Sequence, residues 1–392
     1  MSEWPIVKLG EVCKINPRRD KSITSSTEIS FIEMKLLLEN GNVHPVTVPA
    51  GKYLKGYTPF QKHDILIAKI TPCFQNGKIG LANIDTDFGF GTTEFHIVRS
   101  GETLSPEYLT FFLRQQWILD AGEKCMTGSG GQRRVPKAFL ENLKLPLPPL
   151  GEQKRIAEIL GEASKTIKDT EKIIHNVQGL KRSALRGILD NKSGEYVQLS
   201  QISSVQSGIT KGRKVQNKIT LMPTPYMAVS NVKAGYLDLS EVKQIDASEA
   251  EVNRYQLQAG DILLTEGGDP DKLGRGTIWR NEIPGAIHQN HIFRVRINPD
   301  SGFTSEALMA ILESTESKGY FLRSAKQTTG ISSINKRQLS ATPIPVLGKV
   351  QIEELTNMWH KIDEVIELYH RKLSLLQELQ KSLATRAFAG LL

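Results

Sequence analysis

Two glycine-rich segments are the places where this 392-residue chain could cradle a phosphate: GSGGQRR at 128–134 and GGDPDKLGRG at 267–276. Neither follows the GxxxxGK[ST] spacing of a nucleotide-binding loop, and neither is a GxGxxG placed between a strand and a helix, so both read as flexible loops. A base-flipping methyltransferase needs an Asn/Asp-Pro-Pro motif beside its pocket, but the only Pro-Pro lies in Leu-Pro-Pro-Leu at 147–150. Glu33 and Lys35 form the ExK half of a metal-dependent nuclease pattern; no Pro-Asp precedes them at suitable spacing, and Pro270-Asp271 is far away. His288 and His291 in AIHQNHIF lack nearby Cys or carboxylate ligands and read as surface or strand histidines. No catalytic triad or Cys/His pair stands out, so the chain reads as a binder without catalytic or metal residues.

The composition suits that reading. Fifty Lys plus Arg against 42 Asp plus Glu give a net charge of +8, which fits a polyanionic partner. Cys13, Cys73 and Cys125 form no CxxC pair, so neither a disulfide framework nor a zinc site is expected. MSEWPIVKLGEV has no signal-peptide pattern and no segment has the ~20 apolar residues of a membrane span, which predicts a cytoplasmic protein.

The sequence is a duplication. At an offset of 197, Pro146, Pro148, Leu150 and Gly151 fall on Pro343, Pro345, Leu347 and Gly348. In the same register HDILIAK at 63–69 meets GDILLTE at 260–266, and HIVR at 96–99 meets FRVR at 293–296. VKLGEV at 7–12 faces VQLSQI at 197–202 with a different offset, so loop lengths differ between the copies. Each copy mixes β-rich runs with helical patches, such as SPEYLTFFLRQQWILD at 105–120 and SEALMAILEST at 305–315.

Each copy is followed by a proline-free apolar stripe with heptad spacing. In the first it holds Ile156, Leu160, Ala163, Ile167, Thr170, Ile174, Val177, Lys181, Ala184 and Ile188, with Thr170 and Lys181 as the polar exceptions. In the second it holds Ile352, Leu355, Trp359, Ile362, Ile366, Tyr369, Leu373, Leu376, Gln380, Leu383 and Ala387. A helix of about forty residues is about 60 Å long, too long to lie wholly on one small globule, so the two stripes are expected to pair as an antiparallel coiled coil. The predicted fold is α+β: two mixed domains, 1–148 and 192–345, joined by long helices at 149–191 and 346–392, with a pseudo-twofold internal repeat.

GSGGQRRVPKAFLENLKLPLPPLGEQKRIAEIL, its counterpart TGISSINKRQLSATPIPVLGKVQIEEL, and the tail KIDEVIELYHRKLSLLQELQKSLATRAFAGLL carry a likeness to a known family. They closely resemble the specificity (S) subunit of type I restriction-modification systems, the HsdS family, over essentially the whole chain. The resemblance implies two target recognition domains, each reading half of a bipartite double-stranded DNA site, with paired helices setting the unread spacer. It also implies a subunit without chemistry of its own and without cofactors. Two methyltransferase (M) subunits using S-adenosylmethionine and restriction (R) subunits using ATP and Mg2+ would supply the reactions. A component of a related combined restriction-methylation system, or a coiled-coil scaffold unrelated to DNA, are the alternatives.

Under the DNA reading, phosphate and base contacts come from polar and basic loop residues. The candidates are Lys78, Gln132, Arg133 and Arg134 in the first domain, and Lys211, Arg213, Lys214, Arg275, Asn335, Lys336 and Arg337 in the second. The candidate loops of the two copies differ throughout, which predicts two different half-sites.

Overall fold

The computed structural model describes residues 4–129, 131–189, 194–214, 219–268, 273–328 and 331–392. Contacts divide the chain into two units, 1–169 with 373–392 and 170–372. Each unit takes about half of each long helix along with its globular part.

In the first unit, Ile6–Lys8 pairs antiparallel with Lys144–Pro146 immediately before the first long helix, Leu150–Leu189. A four-stranded sheet runs in the order Cys13–Ile15, Phe95–Ser100, Ile65–Ala68, Ile79–Leu81. Its strand Ile65–Ala68 is buried at every position, so it reads as an unbroken apolar run rather than an alternation. A second sheet places Glu28–Ile32 between Val46–Pro49 and a parallel partner, Phe88–Gly91, with Thr58–Gln61 at its edge. The helical stretch expected over 105–120 is two helices, Pro106–Leu113 and Gln116–Lys124. The first starts at Ser105, whose hydroxyl accepts from the Tyr108 amide. The break follows because Arg114 leaves helical geometry and its guanidinium donates to the Ile79 and Glu39 carbonyls at 2.8 and 2.9 Å.

The second unit repeats the plan. Tyr196–Gln198 pairs with Pro343–Pro345 before the second long helix, Lys349–Phe388. A sheet in the order Ser203–Ser207, Ile292–Ile297, Ile262–Thr265, Gly276–Ile278 matches the first unit's strand for strand. The helix Ser305–Glu313 answers Pro106–Leu113 and buries every residue from Ala307 to Leu312.

One polar device marks the duplication most sharply. The Arg99 guanidinium donates two bonds to the Asp64 carboxylate, at 2.8 and 2.7 Å, while Asp64 also accepts from the Gln61 amide. At the same offset of 197, Arg296 grips Asp261 at 2.6 and 2.7 Å, and Asp261 accepts from the Gln258 amide. Both carboxylates are 1% exposed; each is paired and hydrogen-bonded, the condition under which a buried charge is tolerated.

The long helices pair antiparallel within each unit. In the first, Gln380 donates to the Ser164 hydroxyl at 2.6 Å, and Arg155 reaches the carbonyl of Leu392 at 3.0 Å. Ile156, Leu160, Ala384 and Ala387 also belong to that unit's core, so the helix ends are built into the globule as well as onto each other. In the second, Leu185, Leu189, Ile352, Leu355 and Trp359 enter one core cluster with the sheet. The stripe departs from the expected register here: Ala184 is exposed, while Leu185 and Leu189 are buried. Steps of four carry the apolar face towards the sheet, as a helix with 3.6 residues per turn permits.

Lys181, expected as a flaw in the stripe, is only 4% exposed. Its ammonium lies 3.4 Å from Asp363, 3.8 Å from Glu313 and 3.0 Å from the centre of the Trp359 ring. Arg280 donates to the second Asp363 oxygen at 3.0 Å. Burial pushes the Lys181 ammonium below its ordinary pKa and the Glu313 carboxyl above its own. Among the described residues no helix is long and apolar enough to cross a membrane.

Candidate nucleic-acid interface

In the first unit the GSGGQRR segment is a strap rather than a loose loop. Thr127 and Arg134 exchange backbone bonds of 3.0 and 2.8 Å, the Thr71 amide donates to the Arg133 carbonyl, and the Val135 amide donates to the Lys69 carbonyl. The strap is therefore sewn to the residues that follow strand Ile65–Ala68. Behind it, His96 Nε2 lies 2.8 Å from the Val135 carbonyl and Nδ1 lies 3.1 Å from the Asn16 amide nitrogen. A neutral ring donating to Val135 and accepting from Asn16 satisfies both, and burial holds this histidine below its ordinary pKa.

The strap sorts the first set of candidates. Gln132 and Arg133 are exposed at its crest, with Arg133 3.6 Å from Glu123. Arg134 is committed to Glu94 through two bonds of 2.9 and 2.8 Å, which hold the Glu94 carboxyl below the usual carboxylate range. Lys78 donates to the Met34 carbonyl at 3.2 Å, with two ammonium hydrogens left over. Glu33 and Lys35, the nuclease-like pair, form a surface salt bridge at 2.8 Å; Pro270-Asp271 lies outside the described residues.

The second unit carries the equivalent strap in Ile331–Ser333, paired with Lys326–Thr328 and Gly267–Gly268. The Ile334 amide donates to the Glu266 carbonyl at 3.0 Å, just as Val135 does to Lys69. The counterparts of Gln132, Arg133 and Arg134 are thus Ile331, Ser332 and Ser333, not the Asn335-Lys336-Arg337 run. Asn335 is a helix cap: its side chain accepts from the Gln338 amide at 2.9 Å, and Lys336 and Arg337 are exposed on the short helix Lys336–Ser340 that follows. Arg213 is bound to both oxygens of Glu251 and to the Asp246 carbonyl. That grip lowers the Glu251 carboxyl to about 2. Lys211 and Lys214 are exposed, without an ion pair among the described residues. Arg275 is half-buried and lines a cavity.

Local pattern concealed the acids that occupy two of the arginines, because Glu94 and Glu251 sit about forty residues from Arg134 and Arg213. One pair of positions exchanges its residue types between the units. Where the first has Lys69 and Glu94, the second has Glu266 and His291, 2.5 Å apart. This exchange was available from the offset of 197. His288, by contrast, is fully buried, its Nδ1 3.1 Å from the Tyr255 carbonyl and its pKa driven by burial to about 4.

Residues 1–178 match a family model described as the type I restriction modification DNA specificity domain. Among curated relatives, the type I restriction enzyme EcoAI specificity subunit of Escherichia coli is 41% identical over 157 residues, 39% of this chain and 26% of its own length. The chain thus spans about a quarter of that relative. The EcoKI specificity subunit of Escherichia coli strain K12 is 22% identical over 314 residues, 75% of this chain and 67% of its own length. A chain solved in a study of assembly and conformational transition of the type I R-M system aligns over 100% of this chain and 99% of its own, with a TM-score of 0.57 and 17% identity. The type I restriction-modification S subunit from M. genitalium aligns over 98% of this chain and 96% of its own, with a TM-score of 0.54 and 13% identity. At these identities the solved structures speak for the fold.

Proposed function

Because the chain belongs to the family of type I restriction-modification specificity (S) subunits, we propose that it selects the DNA sequence on which a methyltransferase and nuclease assembly acts. Each unit reads one half of a split double-stranded target, and the paired helices fix the length of the unread spacer. The observation that carries this reading is one scaffold used twice with different residues on the strap: Gln132, Arg133 and Arg134 in one unit, Ile331, Ser332 and Ser333 in the other. A conserved framework with exchanged strap residues suits two reading heads with unlike half-sites.

The chain itself performs no chemistry in this proposal and binds no cofactor. Two M subunits bring S-adenosylmethionine to methylate adenine, and R subunits bring ATP and Mg2+ to cut DNA, in the cytoplasm where the target lies. The duplicated plan offers M the same docking surface twice.

Arg133→Ala with Arg134→Ala tests the strap. Titrations of the assembled complex with target DNA across a range of salt should show weaker binding and a slope of log K against log salt shallower by about one to two. Arg133 should account for most of the loss, since Arg134 is already neutralised by Glu94. Unchanged affinity with an unchanged salt slope would remove the strap from the DNA interface.

A further inference from the structure

A cavity of about 330 Å³ lies within the second unit, and its lining does not include the strap residues Ile331–Ser333. Four cationic side chains line it, Lys181, Arg182, Arg275 and Lys318, against a single acid, Glu313. Lys181 is largely satisfied by Asp363. The other three share the single carboxylate of Glu313, which acts on Lys318 and Arg182 without a salt bridge to either among the described residues; Lys318 instead donates to the Leu273 and Gly274 carbonyls at 3.2 and 2.8 Å. The Nε of Arg275 is buried without any hydrogen-bond partner. The rest of the wall includes Leu322 and Ile366, so the cavity joins a cationic end to an apolar one, the common construction of small-molecule sites in this size range.

We infer that this cavity binds a small phosphate-bearing anion, with the phosphate oxygens on Arg275, Arg182 and Lys318 and the group that carries the phosphate against Leu322 and Ile366. Arginine forks match phosphate geometry, and the lysine adds a point charge. Burial depresses the Lys318 ammonium and raises the Glu313 carboxyl; an anion in the cavity would favour the charged form of the lysine. The DNA-reading proposal rests on the strap residues, so the failure of this site would leave that proposal untouched.

Calorimetric titration of the full chain with phenyl phosphate, inorganic phosphate and phenol tests the inference. Phenyl phosphate is expected to bind, inorganic phosphate more weakly, and phenol not at all. Arg275→Gln and the surface change Arg182→Gln should each weaken phenyl phosphate binding about tenfold, the loss of one charge-assisted contact. A competition arm identifies the source of the phosphate: a duplex oligonucleotide that displaces phenyl phosphate points to a DNA backbone phosphate, and one that does not points to a free small molecule. Absence of binding by both phosphate compounds at millimolar concentration, or binding indifferent to both substitutions, overturns the inference.

Discussion

Lys181→Met destabilises the full chain by about 3 kcal/mol in urea unfolding at pH 7, with hydrogen exchange placing the loss in the unit formed by residues 170–372. Among the described residues the ammonium is the only cation within salt-bridge distance of Glu313, at 3.8 Å, and it also pairs with Asp363 at 3.4 Å. Removing it takes the salt-bridge partner from a buried carboxylate, leaving only the more distant Lys318 and Arg182 charges acting on Glu313, which is more costly than deleting an exposed pair. Arg280 stays on Asp363 at 3.0 Å, which places the expected loss at the low end for a broken buried pair. The dependence on pH has a definite sign. Glu313 has a folded-state pKa raised above its ordinary 4.5 by burial, so the native state holds its proton longer than the unfolded chain does. The stability this contributes is present at acid pH and is lost as pH rises from 4.5 through the folded value. The variant's deficit should therefore shrink as pH is lowered towards 4.5, and Glu313→Gln in the same chain should recover part of it. A deficit below about 0.5 kcal/mol, or one equal at both ends of that range, would show that the cluster does not hold the helices.

The second large effect is functional. Ile366→Asp together with Leu373→Asp puts carboxylates at one seam position that is 4% exposed and at another that is half-buried, on the second long helix. An unpaired buried charge is not tolerated, so the seam should open in both units. Methylation by the complex of this chain with its M subunit, assayed on duplexes that differ only in spacer length, should lose its dependence on spacer length. The conservative Ile366→Leu should retain it. The same sharp spacer preference in the double aspartate variant would show that the helices do not set the spacing.

Much of this organisation was legible in the residues. The offset of 197 foretold matching sheets and, in HDILIAK and GDILLTE, carried the buried Asp64 and Asp261. Heptad spacing located helices at Leu150–Leu189 and Lys349–Phe388 because proline-free apolar stripes impose their own period. What stayed hidden were pairings made by the fold between distant residues. Lys181 looked like a defect until Asp363, Glu313 and Trp359 closed around it. Arg134 and Arg213 looked available until Glu94 and Glu251 occupied them. Asn335 looked like a base reader although the Asn-x-x-Gln spacing already wrote a capping box. The break at Arg114 depends on carbonyls contributed by Ile79 and Glu39, which no helical periodicity encodes.

Base-resolution mapping of methylated adenine in a host carrying the M subunit, with this chain and without it, tests the central claim most directly. The account predicts methylation at a single split motif, two short defined halves around an unread spacer of fixed length, which disappears when this chain is deleted. The same motif methylated in its absence would contradict the claim that this chain chooses the sequence.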